Sequence, residues 1–335
     1  MRRILERSEI AIDLGTSKIA AFVRGEGLAF EEPACIAFKG TPYNQGPVVA
    51  VGTEAARMRE RTPQGLFVVS PIRDGVITDS VTTGVLLKEL LAKHRIPTRL
   101  PKRRFLVGTL LGASDIERRS FEHVARFAGA KEVVLVAEPF AAAIGVGLPI
   151  DEPRANMIVD IGGGATEAVV VSLKRVVSGG SVRFGGDAMD EAIIQELHKW
   201  FSLDIGKQEA RRIKEIVSGL VDPNSSVEVR GVDVRQHRPR AAIVPVGRIF
   251  GALARTIGII TDMVKRVIEH LPPELAADLS DAGITLTGGG ASIVGLQKSI
   301  EEATGIQIKA LDTPQQAMIQ GCGHMLQYYR HIAAT

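Results

Sequence analysis

The chain has 335 residues, 45% of them apolar and 24% charged, and 41 Lys and Arg against 38 Asp and Glu leave a net charge of +3. That length predicts about two domains, and the composition excludes a disordered, fibrous or disulfide-scaffold protein. The mild charge and the 4% aromatic content argue against nucleic acid as a partner, and Cys35 and Cys322 with no signal-peptide pattern predict reduced thiols in a cytosolic protein.

Residues 10–23, IAIDLGTSKIAAFV, read as an apolar strand ending in Asp13, a glycine turn and a second apolar strand. The most apolar long run, Val133–Ile150, is interrupted by Glu138, Pro139 and Pro149. It predicts a buried strand leading into a helix rather than a membrane span. Residues 157–171, MIVDIGGGATEAVVV, repeat the first design, and Asp13 and Asp160 stand 147 residues apart. An internal repeat near one domain in length predicts two related α/β halves.

Gly185-Gly186-Asp187 precedes Ile193, Ile194, Leu197, Trp200 and Phe201. That 3–4 spacing predicts a helix with Asp187 as its N-cap. Valines alternating between Val227 and Val234 predict a small hairpin around Arg230-Gly231. Ile249, Leu253, Ile257, Ile260, Val264 and Val267 mark a long amphipathic helix. Ile284–Thr287 reads as a strand, Ile293, Leu296 and Ile300 as one helix face, and Gly305 as its stop. No Ser- or Pro-rich linker divides the chain.

Three segments carry chemistry. In Asp13-Leu-Gly-Thr-Ser17, a strand-end carboxylate suits a hydrated Mg²⁺, and the turn's N–H and hydroxyl groups can cradle phosphate. In Asp160-Ile-Gly-Gly-Gly-Ala-Thr166, three glycines let backbone approach a ligand closely. Gly288-Gly289-Gly290-Ala291-Ser292 stands at a strand-to-helix junction, which suits a phosphate or a flat nucleotide edge. Taken singly, the first is more often an ordinary hairpin turn and each of the other two equally a tight turn; the repetition of the Asp-Gly design favours two turns gripping one polyphosphate. None matches GxGxxG with a ribose-binding acid or GxxxxGK[ST].

In this order the three segments resemble the actin-like ATPase superfamily. RTPQGLFVVSPIRDGVITD (61–79), AEPFAAAIGVGLPI (137–150), SVRFGGDAMDEAII (181–194), LPPELAADL (271–279) and ITLTGGGASIVGL (284–296) narrow the resemblance to the MreB family of bacterial rod-shape actins, over residues 9–328. The resemblance implies an α/β actin-like ATPase fold: two related RNase H-like domains around a nucleotide cleft, each with a smaller subdomain. Domain I would hold residues 1–138 and 312–335, with a subdomain near 30–65. Domain II would hold 139–311, with a subdomain near 179–250.

By the same resemblance, ATP and Mg²⁺ are the expected cofactors. Thr16, Ser17 and Lys18 would bind phosphate from one side and Gly162, Gly163 and Gly164 from the other. Gly288, Gly289, Gly290 and Ala291 would approach the adenosine. Arg211 and Lys214 stand in the segment that contacts ribose and base. Glu138 would position the attacking water, and Asp13 and Asp160 would organise Mg²⁺, largely through water. Read without the family, Glu138 is simply a charge at the start of a helix. Two positions depart from the family: Ala165 stands where Thr is common, and Arg211 where Glu is usual. The neighbouring Glu209 is a candidate to compensate for Arg211. The first departure bears on the hydrolysis rate and the second on nucleotide affinity or base choice.

The implied function is an ATP-dependent cytoskeletal protein, a slow ATPase that forms homopolymer filaments at the inner face of the cytoplasmic membrane. With cell-wall elongation proteins it would set rod shape. Met1, Ile4 and Leu5 beside Arg2, Arg3 and Arg7, and Ile96 and Leu100 within the six Lys and Arg of Lys93–Arg104, are the expected membrane contacts. Without the family the second stretch is equally a solvated basic loop. The competing readings are a non-polymerising, weakly hydrolytic ATP-binding regulator and a specialised filament paralogue.

Overall fold

The computed structural model describes residues 9–97, 103–220, 222, 224–309 and 311–328. Among these, contacts divide the chain into two units. The first holds the described residues up to Pro153, with Val171–Val176 and those from Thr313 onward; the second holds Arg154–Val170 and Val177–Asp312.

In the first unit the apolar alternation produces an antiparallel pair, β1 (Glu9–Leu14) and β2 (Lys18–Val23), with Asp13 opposite Ala20. Next come β3 (Gly27–Pro33), β4 (Ile36–Thr41), β5 (Asn44–Val51), the short helix α1 (Thr53–Met58) and β6 (Leu66–Val69). β5, β4 and β6 form a three-stranded sheet of their own. β7 (Ile72–Arg73) and β8 (Val76–Ile77) make a small hairpin. Helix α2 (Ser80–Lys93) starts where the Asp79 carboxylate accepts from the Thr82 N–H at 3.0 Å, a side-chain N-cap.

β9 (Arg104–Thr109) leads to α3 (Asp115–Phe127), which opens on a capping box between Ser114 and Glu117. β10 (Glu132–Ala137) runs directly into α4 (Glu138–Gly145), the strand-then-helix reading of the Val133–Ile150 run. The main sheet has the order β10-β9-β1-β2-β3. Because β1, β9 and β10 are parallel, their C-terminal ends fall on one edge, which carries Asp13, Thr109 and Ala137. Leu86, Leu87, Leu90 and Leu91 of α2 pack with Phe121 and Val124 of α3 and with Ile10, Ile12, Phe105 and Val107 of the sheet.

The second unit repeats the plan. β11 (Asn156–Ile161), β12 (Thr166–Ser172) and β13 (Arg175–Val182) are followed by α5 (Gly186–Phe201), β14 (Leu203–Asp204), α6 (Lys207–Ser218), β15 (Ser226–Asp233) and β16 (Pro239–Pro245). Then come α7 (Val246–Glu269), α8 (Pro273–Ala282), β17 (Ile284–Thr287), α9 (Leu296–Thr304) and β18 (Ile308–Lys309). Its main sheet, β13-β12-β11-β17-β18, reproduces β3-β2-β1-β9-β10 strand for strand. The internal repeat read from sequence is therefore a repeated topology. The predicted stripe of α7 from Ile249 to Val267 is buried, and Gly305 ends α9 at φ 70°.

The C-terminal helix α10 (Ala317–Tyr328) belongs to the first unit and crosses α4 backbone to backbone. A Cβ on Gly145 would strike the Ala317 carbonyl, and one on Gly321 the Ala141 carbonyl. This packing draws α4 into the first unit, whereas the sequence reading opens the second domain at residue 139.

Three local expectations need correction. The hairpin turn expected at Arg230-Gly231 lies instead at residues 234–238, because β15 runs unbroken against β16. Gly231 serves a different need: a Cβ there would collide with the Asp204 carbonyl of the neighbouring β14. The N-cap of α5 is Gly185, and Asp187 stands in the first turn. Trp200, expected on the apolar face of α5, is 56% exposed, with the cations of Lys199 and Arg248 over its ring.

Candidate functional site

In the first unit the glycine turn follows directly from β1. Asp13 is half-buried at the end of the strand, and a Cβ on Gly15 would sit 3.0 Å from the Lys18 carbonyl and 3.4 Å from Asp13 Oδ1. The Thr16 hydroxyl accepts from the Gly75 N–H at 2.8 Å, which ties the turn to the β7–β8 hairpin and leaves the hydroxyl proton free to donate. The Ser17 carbonyl accepts from the Ala34 N–H. Lys18 is exposed, and its ammonium lies 2.7 Å from Glu31 and 3.4 Å from the Gln315 side chain.

Glu138 begins α4, one residue beyond the end of β10, on the same sheet edge as Asp13. A Cβ on Gly108 would touch Met318 and Glu138 Cγ, so the bare backbone of β9 makes room for that side chain. Cys322 of α10 is fully buried, and burial pushes its thiol well above the usual range, with the negative charges of Asp13 and Glu138 adding to the rise. Both carboxylates therefore act on one point beneath the sheet edge. Cys35 and Cys322 are both free and buried, and a protonated buried thiol is unreactive.

In the second unit Gly162–Ala165 closes a tight turn, with the Gly162 N–H donating to the Ala165 carbonyl at 2.9 Å. The junction into α5 is stitched onto it. The Gly186 N–H donates to the Gly162 carbonyl at 3.0 Å, and the Asp187 N–H to the Gly163 carbonyl at 2.8 Å. A Cβ on Gly185 would sit 2.5 Å from the Gly162 carbonyl, so only glycine permits this approach. Ala165 is 6% exposed.

Asp160 stands at the end of β11 and accepts from the Thr287 hydroxyl at 3.0 Å. Burial raises its carboxyl above the usual range, and the Thr287 hydrogen bond only partly offsets that. Gly288, at φ 83°, and Gly290 pack on Asp160 and Ile161, where a Cβ on either would collide. Gly289 differs: a Cβ there would meet nothing within 4 Å, so its backbone faces open space. Ala291 follows, partly buried.

The segment expected to contact ribose and base takes a form that sequence reasoning missed. Lys214 is 8% exposed, and its ammonium lies 2.6 Å from Asp190 Oδ1 and donates to the Gly186 carbonyl at 2.6 Å. Lys214 thus holds the α5 N-terminus that holds the glycine turn. Arg211 pairs with Asp187 at 3.3 Å and Asp190 at 3.6 Å. Glu209, the candidate to compensate for Arg211, is turned elsewhere. Arg212 forks onto it at 2.6 and 2.7 Å and the Arg230 N–H donates to it, and these partners hold its carboxyl below the usual range. No local signal announces Asp190, whose partner Lys214 lies 24 residues along the chain.

The expected membrane residues divide. Met1, Ile4, Leu5 and Leu100 lie outside the described residues. Ile96 is 7% exposed and packs in the core of the first unit, so its side chain is not offered to a lipid surface. Lys93 and His94 are bound to Glu32 at 2.8 and 2.9 Å, and Arg104 to Glu132 at 3.1 Å, so these three are not free loop cations. Among the described residues no helix is long and apolar enough to cross a membrane.

Two units of one topology, each with an Asp-Gly turn at the C-terminal edge of its parallel strands, define an actin-like α/β protein. Solved structures agree. MreB 5 of Spiroplasma citri bound to AMPPNP matches with a TM-score of 0.87 at 28% identity, over 95% of both chains. The MamK double helical filament matches in fold with a TM-score of 0.79, over 95% of this chain and 99% of that one.

The family model described as MreB/Mbl protein matches residues 7–334, and the chain belongs to that family. It is 38% identical to the cell shape-determining protein MreB of Escherichia coli strain K12, over 96% of this chain and 93% of that protein. It is 35% identical to the cell shape-determining protein Mbl of Bacillus subtilis strain 168, over 95% of each.

Proposed function

We propose that this MreB-family protein binds ATP with Mg²⁺, hydrolyses it slowly and assembles into filaments of its own kind. These filaments would lie at the inner face of the cytoplasmic membrane and, with cell-wall elongation proteins, organise rod shape. The observation that carries the reading is the duplicated Asp-Gly turn, the first copy tight at Gly15, where a Cβ would sit 3.0 Å from the Lys18 carbonyl, and the second held by an approach of Gly185 that only glycine allows. The AMPPNP and ADP bound to the Spiroplasma relative support it, as do the shape-determining names of the curated relatives.

The residues present fit the nucleotide. Thr16 keeps a hydroxyl proton for a phosphate oxygen while its oxygen is held by Gly75. The Gly162–Gly164 turn presents backbone to phosphate, and the open face at Gly289 leaves room for the adenosine. Asp160, half-buried and with its pKa raised by desolvation, gains its charge back beside a cation. Mg²⁺ needs only one or two carboxylates because it keeps several waters. Bound there, it would neutralise charge developing on the phosphates.

Glu138 would orient a water and accept its proton. Lys214 and Asp190 act through others: they fix Gly186, which fixes the turn. Lys18 must leave Glu31 to reach a phosphate, and surface pairing of that kind costs little to break.

Equilibrium binding of ATP with and without Mg²⁺ tests the reading. The account expects saturable binding that Asp160→Asn weakens about tenfold or more in Mg²⁺ and changes little in EDTA. Absence of ATP binding by the unaltered protein would overturn it.

A further inference from the structure

In the second unit β14, β15 and β16 form a small three-stranded sheet with two unlike faces. Strand alternation turns Val227, Val229, Ala242 and Val244 inward, where they join Ile213 and Val217 of α6 in the core. The alternate positions face solvent. There Val232 stands opposite Pro239, Arg230 opposite Ala241 and Glu228 opposite Ile243. Ile243 is 65% exposed and Val232 42% exposed, with Pro239 and Ala241 exposed beside them. Exposed apolar side chains gathered on one face and rimmed by charge mark an interaction surface.

Positive charge gathers at the same hairpin. Residues 226–245 hold four arginines against Glu228 and Asp233, an excess of +2 in a chain whose net charge is +3. Both acids are matched from within: Glu228 lies 2.8 Å from Arg230 and Asp233 2.9 Å from Arg240. Asp204 of β14, across from Val232, lies 2.6 Å from His198. Asp233 Oδ1 also accepts from the Arg235 and Gln236 N–H groups at 2.9 Å, and the His237 N–H donates to the Asp233 carbonyl at 2.8 Å. These bonds fix the turn, which carries Arg235 and Arg238 exposed at its tip.

Two cations on a fixed tip, continuous with exposed Val, Ile and Pro side chains, complement a surface that is anionic outside and apolar just beneath. Nucleic acid is a poorer match, because neither β15 nor β16 carries a Phe, Tyr or Trp on which a base could stack. The same face of a second copy would bring like charges together.

We propose that the outer face of the β15–β16 hairpin docks on the anionic lipid surface of a bilayer. Arg235 and Arg238 meet headgroup phosphates, and Val232, Pro239 and Ile243 lie against the acyl boundary. This rests on the membrane placement proposed above and supplies residues for it, since Ile96 lies in the core. One hairpin binds weakly, and copies joined in a filament add by avidity.

The test is flotation of the full chain with phosphatidylglycerol vesicles and with phosphatidylcholine vesicles, in ATP and Mg²⁺. The unaltered protein is compared with Arg235→Gln/Arg238→Gln and with Ile243→Ser, all exposed positions whose substitution leaves the melt nearly unchanged. The unaltered protein should float with phosphatidylglycerol only. Its affinity should fall about 20- to 30-fold in the double arginine variant, at about fivefold per cation, and about 3- to 10-fold in Ile243→Ser. A second readout examines the face directly. Cys35 and Cys322 are buried, so Ile243→Cys takes up a polarity-sensitive dye selectively. Phosphatidylglycerol vesicles should shift its emission to the blue and leave the same dye at Ser280→Cys, exposed on α8, unmoved.

Equal flotation of all three proteins, or a dye at Ile243 that stays in water while the protein floats, overturns the proposal and leaves the membrane placement to another surface. Failure of the unaltered protein to float overturns both and turns the search to an acidic protein partner. Pelleting without vesicles is read alongside. Variants that lose filaments together with flotation assign the hairpin to contacts between copies, which also overturns the proposal.

Discussion

Glu138 shows how much a residue's role depends on where an element begins. Its sequence neighbourhood, an acid before Pro139, is that of many helix starts, and in the structure it stands in the first turn of α4 behind Ala137, the N-cap. What sets it apart is the shared edge with Asp13 and the absence of a side chain at Gly108. A water-orienting carboxylate contributes about 10²- to 10⁴-fold to rate. Glu138→Ala should therefore lower single-turnover phosphate release by about that factor while leaving ATP affinity within about twofold. Normal release from the variant would remove Glu138 from catalysis. Lys214 carries the opposite lesson. The family resemblance assigned its segment to ribose and base, whereas its ammonium is already spent on Asp190 and Gly186. A sequence motif can name a segment and still leave unspecified which of its side chains are committed within the protein.

At the scale of elements, two junctions carry stability that can be measured. Glu32 of β3 is 6% exposed; burial alone would raise its pKa, but donors from Lys93, Thr53 and His94 outweigh burial and lower it to about 2. A carboxyl depressed in the folded state stabilises above its unfolded pKa of about 4.5 and loses that contribution as pH falls toward 2. Urea unfolding from pH 6 to pH 2 should show a loss of about 3 kcal/mol from this group, and Glu32→Gln should flatten that slope. An unchanged slope in the variant would contradict the assignment. The second junction is the crossing of α4 and α10. Gly321→Ala should destabilise by about 1–3 kcal/mol or more, because backbone cannot yield as a side chain can. A melt within 1 °C of the unaltered protein, read against about 2–4 °C per kcal/mol for a chain of this size, would show that the helices separate freely. Elements with strong periodicity, α7 and β17 among them, were legible in the sequence because burial alone dictates their pattern. The β15 turn and the α4–α10 crossing were not, because a glycine needed for another strand's carbonyl looks the same as a glycine needed for a turn.

At the scale of the whole molecule, the duplicated strand order is the feature that the sequence disclosed most clearly, through the two Asp-Gly hairpins. The charge network around Asp190 was hidden, since its members stand far apart in the chain. Head-to-tail association of identical subunits generates open filaments when the rotation between them does not close, and relatives of this chain bear the name of cell shape-determining proteins. The central claim is that nucleotide controls this assembly. High-speed pelleting of the purified protein with ATP, ADP or neither, with negative-stain microscopy of the pellet, tests it most directly. The account predicts filaments that require ATP and that are sparse with ADP or without nucleotide. A protein that binds ATP yet remains in the supernatant at every concentration would contradict it and favour an ATP-binding regulator built on the same fold.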